Sequence, residues 1–221
     1  MRPCPLCIMF VALFGCIPRD SDADLLWNNG EYKGSSALSS ERNTIIPESW
    51  VVDDAILAGP SVITDFEWIC LMSRQFTPSF ADFIILGDKF QRLYELKDLS
   101  YERLFEGESF GYDLWSMSVH NLSIFLPGGR YYFGGRPVGN GDYRAFTGEK
   151  RMPLGKTEAF FQLEYFGYPD WTSVVEVKGV PFDATFKLYG EPVPEPAPIL
   201  AVAGAVASLL LRRRKFVEEM Q

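Results

Sequence analysis

Asp53 and Asp54 are the only adjacent carboxylates inside a strand-like run of the chain's body, Trp50-Val51-Val52-Asp53-Asp54-Ala55-Ile56-Leu57. Neighbouring strand residues point to opposite faces, so the two cannot both act as the acid and base of a glycosidase pair without distortion. A single inward Asp, or a bulge, could instead hold calcium together with backbone carbonyls, the oxygen ligands a hard cation prefers. In the plainer reading one of them caps a turn or pairs with an arginine and the other is solvated. His120, in Ser118-Val119-His120-Asn121-Leu122, is the only histidine. A Ser-His-Asp triad would need it, yet no Gly-x-Ser-x-Gly elbow positions a nucleophile, and it reads as a surface histidine on the polar side of a strand.

The remaining candidates carry less chemistry. Cys4, Cys7 and Cys16 lie in an apolar leader without partner ligands, and Cys70, in Phe66-Glu67-Trp68-Ile69-Cys70-Leu71, reads as a buried filler. One histidine and one cysteine outside the leader cannot build an ordinary zinc site. Gly134-Gly135, Gly139 and Gly141 read as a glycine-rich loop between strands, and no Lys-Ser/Thr follows that would suit a phosphate. Asn121-Leu122-Ser123 fits a glycosylation sequon. Trp50, Trp68, Trp115 and Trp171 would form a sugar-stacking platform if exposed and sandwich filling if not.

The elements that must position these residues are short strands. Residues 24–30 read as a strand closed by the Asn29-Gly30 turn, and 34–43 as a Ser-rich loop. Strands follow at 50–57 and 61–72, the latter with Val62, Thr64, Phe66, Trp68 and Cys70 on one face, and at 82–88. Residues 90–99 suit a strand or a helical turn. The pattern resumes from 112 through 126, turns at Pro127-Gly128-Gly129 into 130–133, and returns at 143–146, 159–166 and 172–178. In the last strand Phe182, Ala184, Phe186 and Leu188 alternate with Asp183, Thr185, Lys187 and Tyr189, the pattern of a half-buried strand. With 19 glycines, 15 prolines and 18 phenylalanines and no long amphipathic helix, the chain is expected to be all-β. The expected architecture is an antiparallel β-sandwich with jelly-roll-like connections and a short C-terminal apolar helix.

With 221 residues, the chain suits one domain between two targeting segments. A formal charge of −8 argues against nucleic acid, because the only dense basic run follows the apolar tail. Arg2, the mostly apolar stretch 6–17 and the small residues Ser21 and Ala23 read as a secretory signal cut by signal peptidase after Ala23. Leu13-Phe14-Gly15-Cys16 offers a lipoprotein box as the competing reading.

At the other end, Pro194-Glu195-Pro196 precedes an uncharged apolar run at 199–211 and then Arg212-Arg213-Arg214-Lys215. As a helix the run would reach roughly 20 Å, against a hydrocarbon core of roughly 30 Å. The cations would stay on the cytoplasmic side and place the body outside. These residues resemble the PEP-CTERM sorting signal of bacterial proteins. The resemblance implies recognition by exosortase, a membrane-embedded cysteine transpeptidase-like enzyme, with removal of the tail during export. The body is also similar to proteins that carry this signal. The similarity rests on Trp27-Asn28-Asn29-Gly30, the Ser-rich loop, Asp53-Asp54-Ala55-Ile56-Leu57 and a terminal strand at 182–190.

The expected organisation is therefore a signal peptide at 1–23, an extracellular β-sandwich at 24–190, a sorting and anchor segment at 191–215 and a tail at 216–221. The expected role is a non-enzymatic surface or extracellular-matrix protein, held transiently in the membrane through 199–211 and associated with exopolysaccharide. The alternatives are a secreted carbohydrate-active enzyme using Asp53 or Asp54, and an adhesin that keeps its membrane anchor. No cofactor is expected other than calcium at Asp53 or Asp54.

Overall fold

A computed structural model describes residues 23–34, 36–141, 143–151 and 158–194. Residues 1–22 of the expected leader at 1–23, Glu195, Pro196, the apolar helix at 199–211 and the basic residues Arg212, Arg213, Arg214 and Lys215 lie outside the described residues.

Among the described residues the strands are β1 (Asp24–Asn28), β2 (Ser36–Ser39), β3 (Trp50–Leu57), β4 (Ser61–Met72), β5 (Pro78–Leu86), β6 (Arg92–Leu99), β7 (Glu102–Ser109) and β8 (Tyr112–Val119). They continue with β9 (Ile124–Leu126), β10 (Gly129–Gly139), β11 (Ala145–Arg151), β12 (Phe160–Leu163), β13 (Tyr168–Ser173), β14 (Phe182–Ala184) and β15 (Phe186–Pro192). A 3-10 turn at Glu164–Phe166 and helix α1 (Val174–Lys178) interrupt the series. The strands form an antiparallel β-sandwich. One sheet runs β1-β15-β4-β11-β14, with β2 on β11, β9 and β8 on β4, and β7 outside β8. The other runs β13-β12-β3-β10-β5-β6.

The period-two pattern builds the core between the sheets. Phe66 and Trp68 of β4 point inward and stack at 5.4 Å, and Phe66 meets Phe83 of β5 at 4.8 Å and Phe186 of β15 at 5.6 Å. The expected common face of β4 breaks at Thr64. Opposite β15 the register passes from Tyr189↔Asp65 to Gly190↔Ile63, so Thr64 is an extra residue and Ile63 is buried in place of Val62 and Thr64.

The centre of the second sheet, β3, β10 and β5, is buried on both faces. Trp50, Val52, Ile84, Leu86 and Tyr132 form a separate outer cluster under Phe90, Phe160 and Trp171, which explains the unbroken apolar run Phe83-Ile84-Ile85-Leu86. Gly134 and Gly135 lie in the middle of β10 and not in a loop. A Cβ on Gly134 would come within 2.4 Å of the Val51 carbonyl oxygen, and one on Gly135 within 2.8 Å of the Phe66 and Trp68 rings. Glycine is required at Gly134 by the neighbouring strand β3 and at Gly135 by the facing sheet.

Other expectations shift for local reasons. Residues 172–178 divide between β13 and α1, whose Ser173 side chain accepts a hydrogen bond from Val175 N–H while Gly179 closes the turn at φ 72°. The Ser-rich loop contains β2, and 90–99 contains the strand β6. The exposed edge strand β7 has no counterpart in the sequence reading. The terminal strand is two strands meeting at Thr185, and Asp183 and Thr185 are buried on the side expected to be polar. The body extends past residue 190, since β15 reaches Pro192 and Val193 N–H donates to the Pro60 carbonyl at 2.8 Å.

Replacing Gly135 by Ala is expected to cost about 1–3 kcal/mol through overpacking, read as a lowered urea midpoint with an unchanged denaturant slope.

Candidate functional site

Strand alternation sends Asp53 toward the first sheet and Asp54 to the other side of β3. Asp53 is 1% exposed. Its Oδ2 accepts from Asn29 Nδ2 at 2.7 Å and from the Ala184 peptide N–H at 2.8 Å, and its Oδ1 accepts from the Asp54 N–H at 2.8 Å. Asn29 Nδ2 also donates to the Ala184 carbonyl at 2.9 Å. Burial, with the Asp183 charge beside it, pushes the Asp53 carboxyl well above the usual carboxylate range, against the opposing pull of the N–H donors.

Asp54 lies 3.3 Å from Arg130 Nε. The pairing with an arginine therefore matches the sequence reading, but Asp53 is enclosed where a solvated residue was expected. The two carboxylates lie on opposite sides of β3, and calcium at Asp53 would have to displace three N–H donors. Among the described residues no group of three or more His, Cys, Asp or Glu could hold a metal ion.

The buried charges that sequence reasoning missed are also tie points. Asp82 accepts from Arg42 at 2.8 and 2.9 Å, from Arg136 Nε at 2.9 Å and from the Asp98 N–H at 3.0 Å. Burial works against its charge, but the two guanidinium groups outweigh it and hold Asp82 below the usual range. Arg136 in turn lies 3.8 Å over the Trp50 ring. Glu41 accepts from Arg144 Nε at 2.6 Å and the Ala145 N–H at 2.8 Å, while burial still pushes its carboxyl up. The four tryptophans do not form a platform. Trp50 and Trp68 are fully buried, Trp115 packs under Phe105 and Arg103, and Trp171 stacks on Phe90.

On the outer face of the first sheet, the register aligns Lys187 of β15, Glu67 of β4, Ser118 of β8 and Glu102 of β7 in one row. One step along, His120 follows the end of β8 and faces Asp65 of β4. The His120 Nδ1 lies 2.7 Å from Asp65 Oδ1, and its Nε2 lies 3.0 Å from Ser118 Oγ. Thr64 Oγ1 donates to the second Asp65 oxygen at 2.6 Å. Asp65 can only accept when ionised, so the matching tautomer carries its proton on Nδ1 and accepts the Ser118 hydroxyl at Nε2. A groove of about 300 Å³ opens here, lined also by Ala23, Glu67 and Tyr189.

His120 thus faces solvent as the sequence suggested, but it is not alone. Ser118 and His120 share a strand face at i, i+2, a signal present in the sequence. Asp65 is 55 positions away and is brought in only by the β4–β8 pairing.

Asp53 has a raised folded-state pKa, so its contribution to stability is full below the ordinary Asp range and lost as pH rises through the raised value. Asp53→Asn is expected to destabilise the fold by about 1–3 kcal/mol through a mismatched donor. The wild-type advantage should widen from pH 7.5 toward pH 5, measured as the difference in urea-unfolding free energy between the two proteins at each pH.

No protein-family model matches this chain, and no curated protein matches it.

Proposed function

We propose that this chain is an exported surface or extracellular-matrix protein, released from its leader by signal peptidase and sorted by exosortase. The observation that carries the reading is the order of Pro194-Glu195-Pro196, the apolar run 199–211 and Arg212-Arg213-Arg214-Lys215 behind a folded body. The body's last strand ends at Pro192, and Pro194 is exposed, so the first residue of the triplet is open to a processing enzyme without unfolding the sandwich. A span of roughly 20 Å is short for a permanent anchor in a core of roughly 30 Å, which favours transient residence over a retained tail.

The other end of the body supports the same reading. β1 starts at Asp24, one residue after the proposed cut at Ala23, and pairs Asp24 with Gly190 of β15. The start of β1 and the end of β15 therefore lie at one end of the first sheet. The matrix partner is proposed to be exopolysaccharide. Enclosure of Asp53 and pairing of Asp54 with Arg130 weigh against a glycosidase built on that pair.

Intact-mass measurement of the protein from surface and medium fractions of a host carrying exosortase is expected to give a species that begins near Asp24 and ends near the triplet. A mature species that retains residues 199–221 would sink the sorting reading.

A further inference from the structure

We propose that Ser118 is a nucleophile, with His120 as its general base and Asp65 positioning the imidazole, and that the groove around them transfers acyl groups from small neutral or cationic esters. This goes beyond the export reading and does not depend on it.

The geometry is that of an activated hydroxyl. The 3.0 Å from Ser118 Oγ to His120 Nε2 lies within hydrogen-bond reach for proton removal, and the 2.7 Å contact from Nδ1 to Asp65 fixes both the ring plane and the tautomer. Asp65 is itself held from behind by Thr64. Each of these groups is anchored on a paired strand or within a residue of one, so the relay is rigid. It is also accessible, because the His120 side chain is 41% exposed and the groove opens beside it.

The step balances without an external oxidant, reductant or metal. Ser118 Oγ bonds to the acyl carbon as its proton passes to Nε2, the C–O bond to the alcohol breaks, and the alcohol departs with that proton. Water then adds to the acyl-serine and gives a proton to Nε2. The Ser118 oxygen leaves the acyl carbon and recovers that proton, freeing the carboxylic acid.

The surroundings restrict the substrate. Ser118 is paired on both sides, with Glu67 and Glu102, so its peptide group belongs to the ladders and not to an oxyanion site. An oxyanion donor is worth about 10²–10³ in rate. Without one, acceleration rests on the general base, about 10²–10⁴, which suffices for esters whose alcohol is a good leaving group. Glu102 lies 3.7 Å from Nε2 and Asp65 holds the other side of the ring, so anionic esters are disfavoured, while Glu67 in the same row is paired with Lys187 at 2.7 Å.

The test is covalent labelling of the full-length chain with a neutral fluorophosphonate, followed by intact-mass and peptide mapping. The expected result is one adduct at Ser118, absent in Ser118→Ala, formed at least about 100-fold more slowly in His120→Ala, and unchanged in Ser116→Ala on the same strand face. Since His120 is the only histidine, its imidazole ¹⁵N resonances report one residue. They should show a proton on Nδ1 in the wild type and a changed tautomer balance in Asp65→Asn, with labelling slowed. No adduct at Ser118, or equal rates with and without His120, would overturn the proposal.

Discussion

The Asp53 carboxylate is the point where three separate stretches of chain are held together. It receives the turn after β1 through Asn29, the start of the terminal strand pair through Ala184, and its own strand through Asp54. A peptide N–H at the join between β14 and β15 has no ladder partner to spare, and a carboxylate from the opposite sheet supplies one. Burying that charge is costly, and burial, with Asp183 beside it, raises the carboxyl's pKa. What it provides is registry: hydrogen bonds to one carboxylate hold the turn after β1, the strand β3 and the β14–β15 join in fixed relation to one another.

The same device recurs at three other places among the described residues. Asp82 fixes Arg42 and the Asp98 peptide against the outer face of the second sheet, and Glu41 fixes Arg144 and the start of β11. Glu149 and Lys178 join β11 to α1. Among the described residues the free cysteine is Cys70, which is buried and whose thiol burial pushes up, so covalent stapling plays no part in this region. Hydrophobic area supplies the bulk of the driving force, and the charged tie points select one packing of loops over others.

The strands with an apolar face were legible in the sequence, some closely and others only in part: β5 starts at Pro78 rather than 82, β10 runs on to Gly139 rather than 133, and β11 runs on to Arg151 rather than 146. β3 and β4 coincide with the runs 50–57 and 61–72: much of β4 alternates over one buried face, whereas β3 is buried on both faces and reads as a short continuous run. What could not be read was set by partners distant in sequence. β7 has no buried face, so its residues look like a polar connector until β8 pairs with it. Gly134 and Gly135 imitate a loop because the reason for each glycine is a neighbour on another strand. α1 did leave a local trace, the capping pattern Ser173-Val174-Val175-Glu176, which the adjacent β-branched residues masked. At the candidate site, the enclosure of Asp53 and the meeting of Asp65 with His120 both follow from strand register, which a single sequence specifies only weakly.

The antiparallel pairing of β1 with β15 has a mechanical consequence. Because the two ends of the body emerge together, tension applied between them would peel β1 from β15 one hydrogen bond at a time, a low-force unzipping. Tension applied from residue 194 against the rest of the sandwich instead loads β15 lengthwise between β1 and β4, so that the bonds along both ladders resist in shear together. A body held at its C-terminal end alone is thus suited to bear load, and freeing the N-terminal end from any tether removes the weak direction.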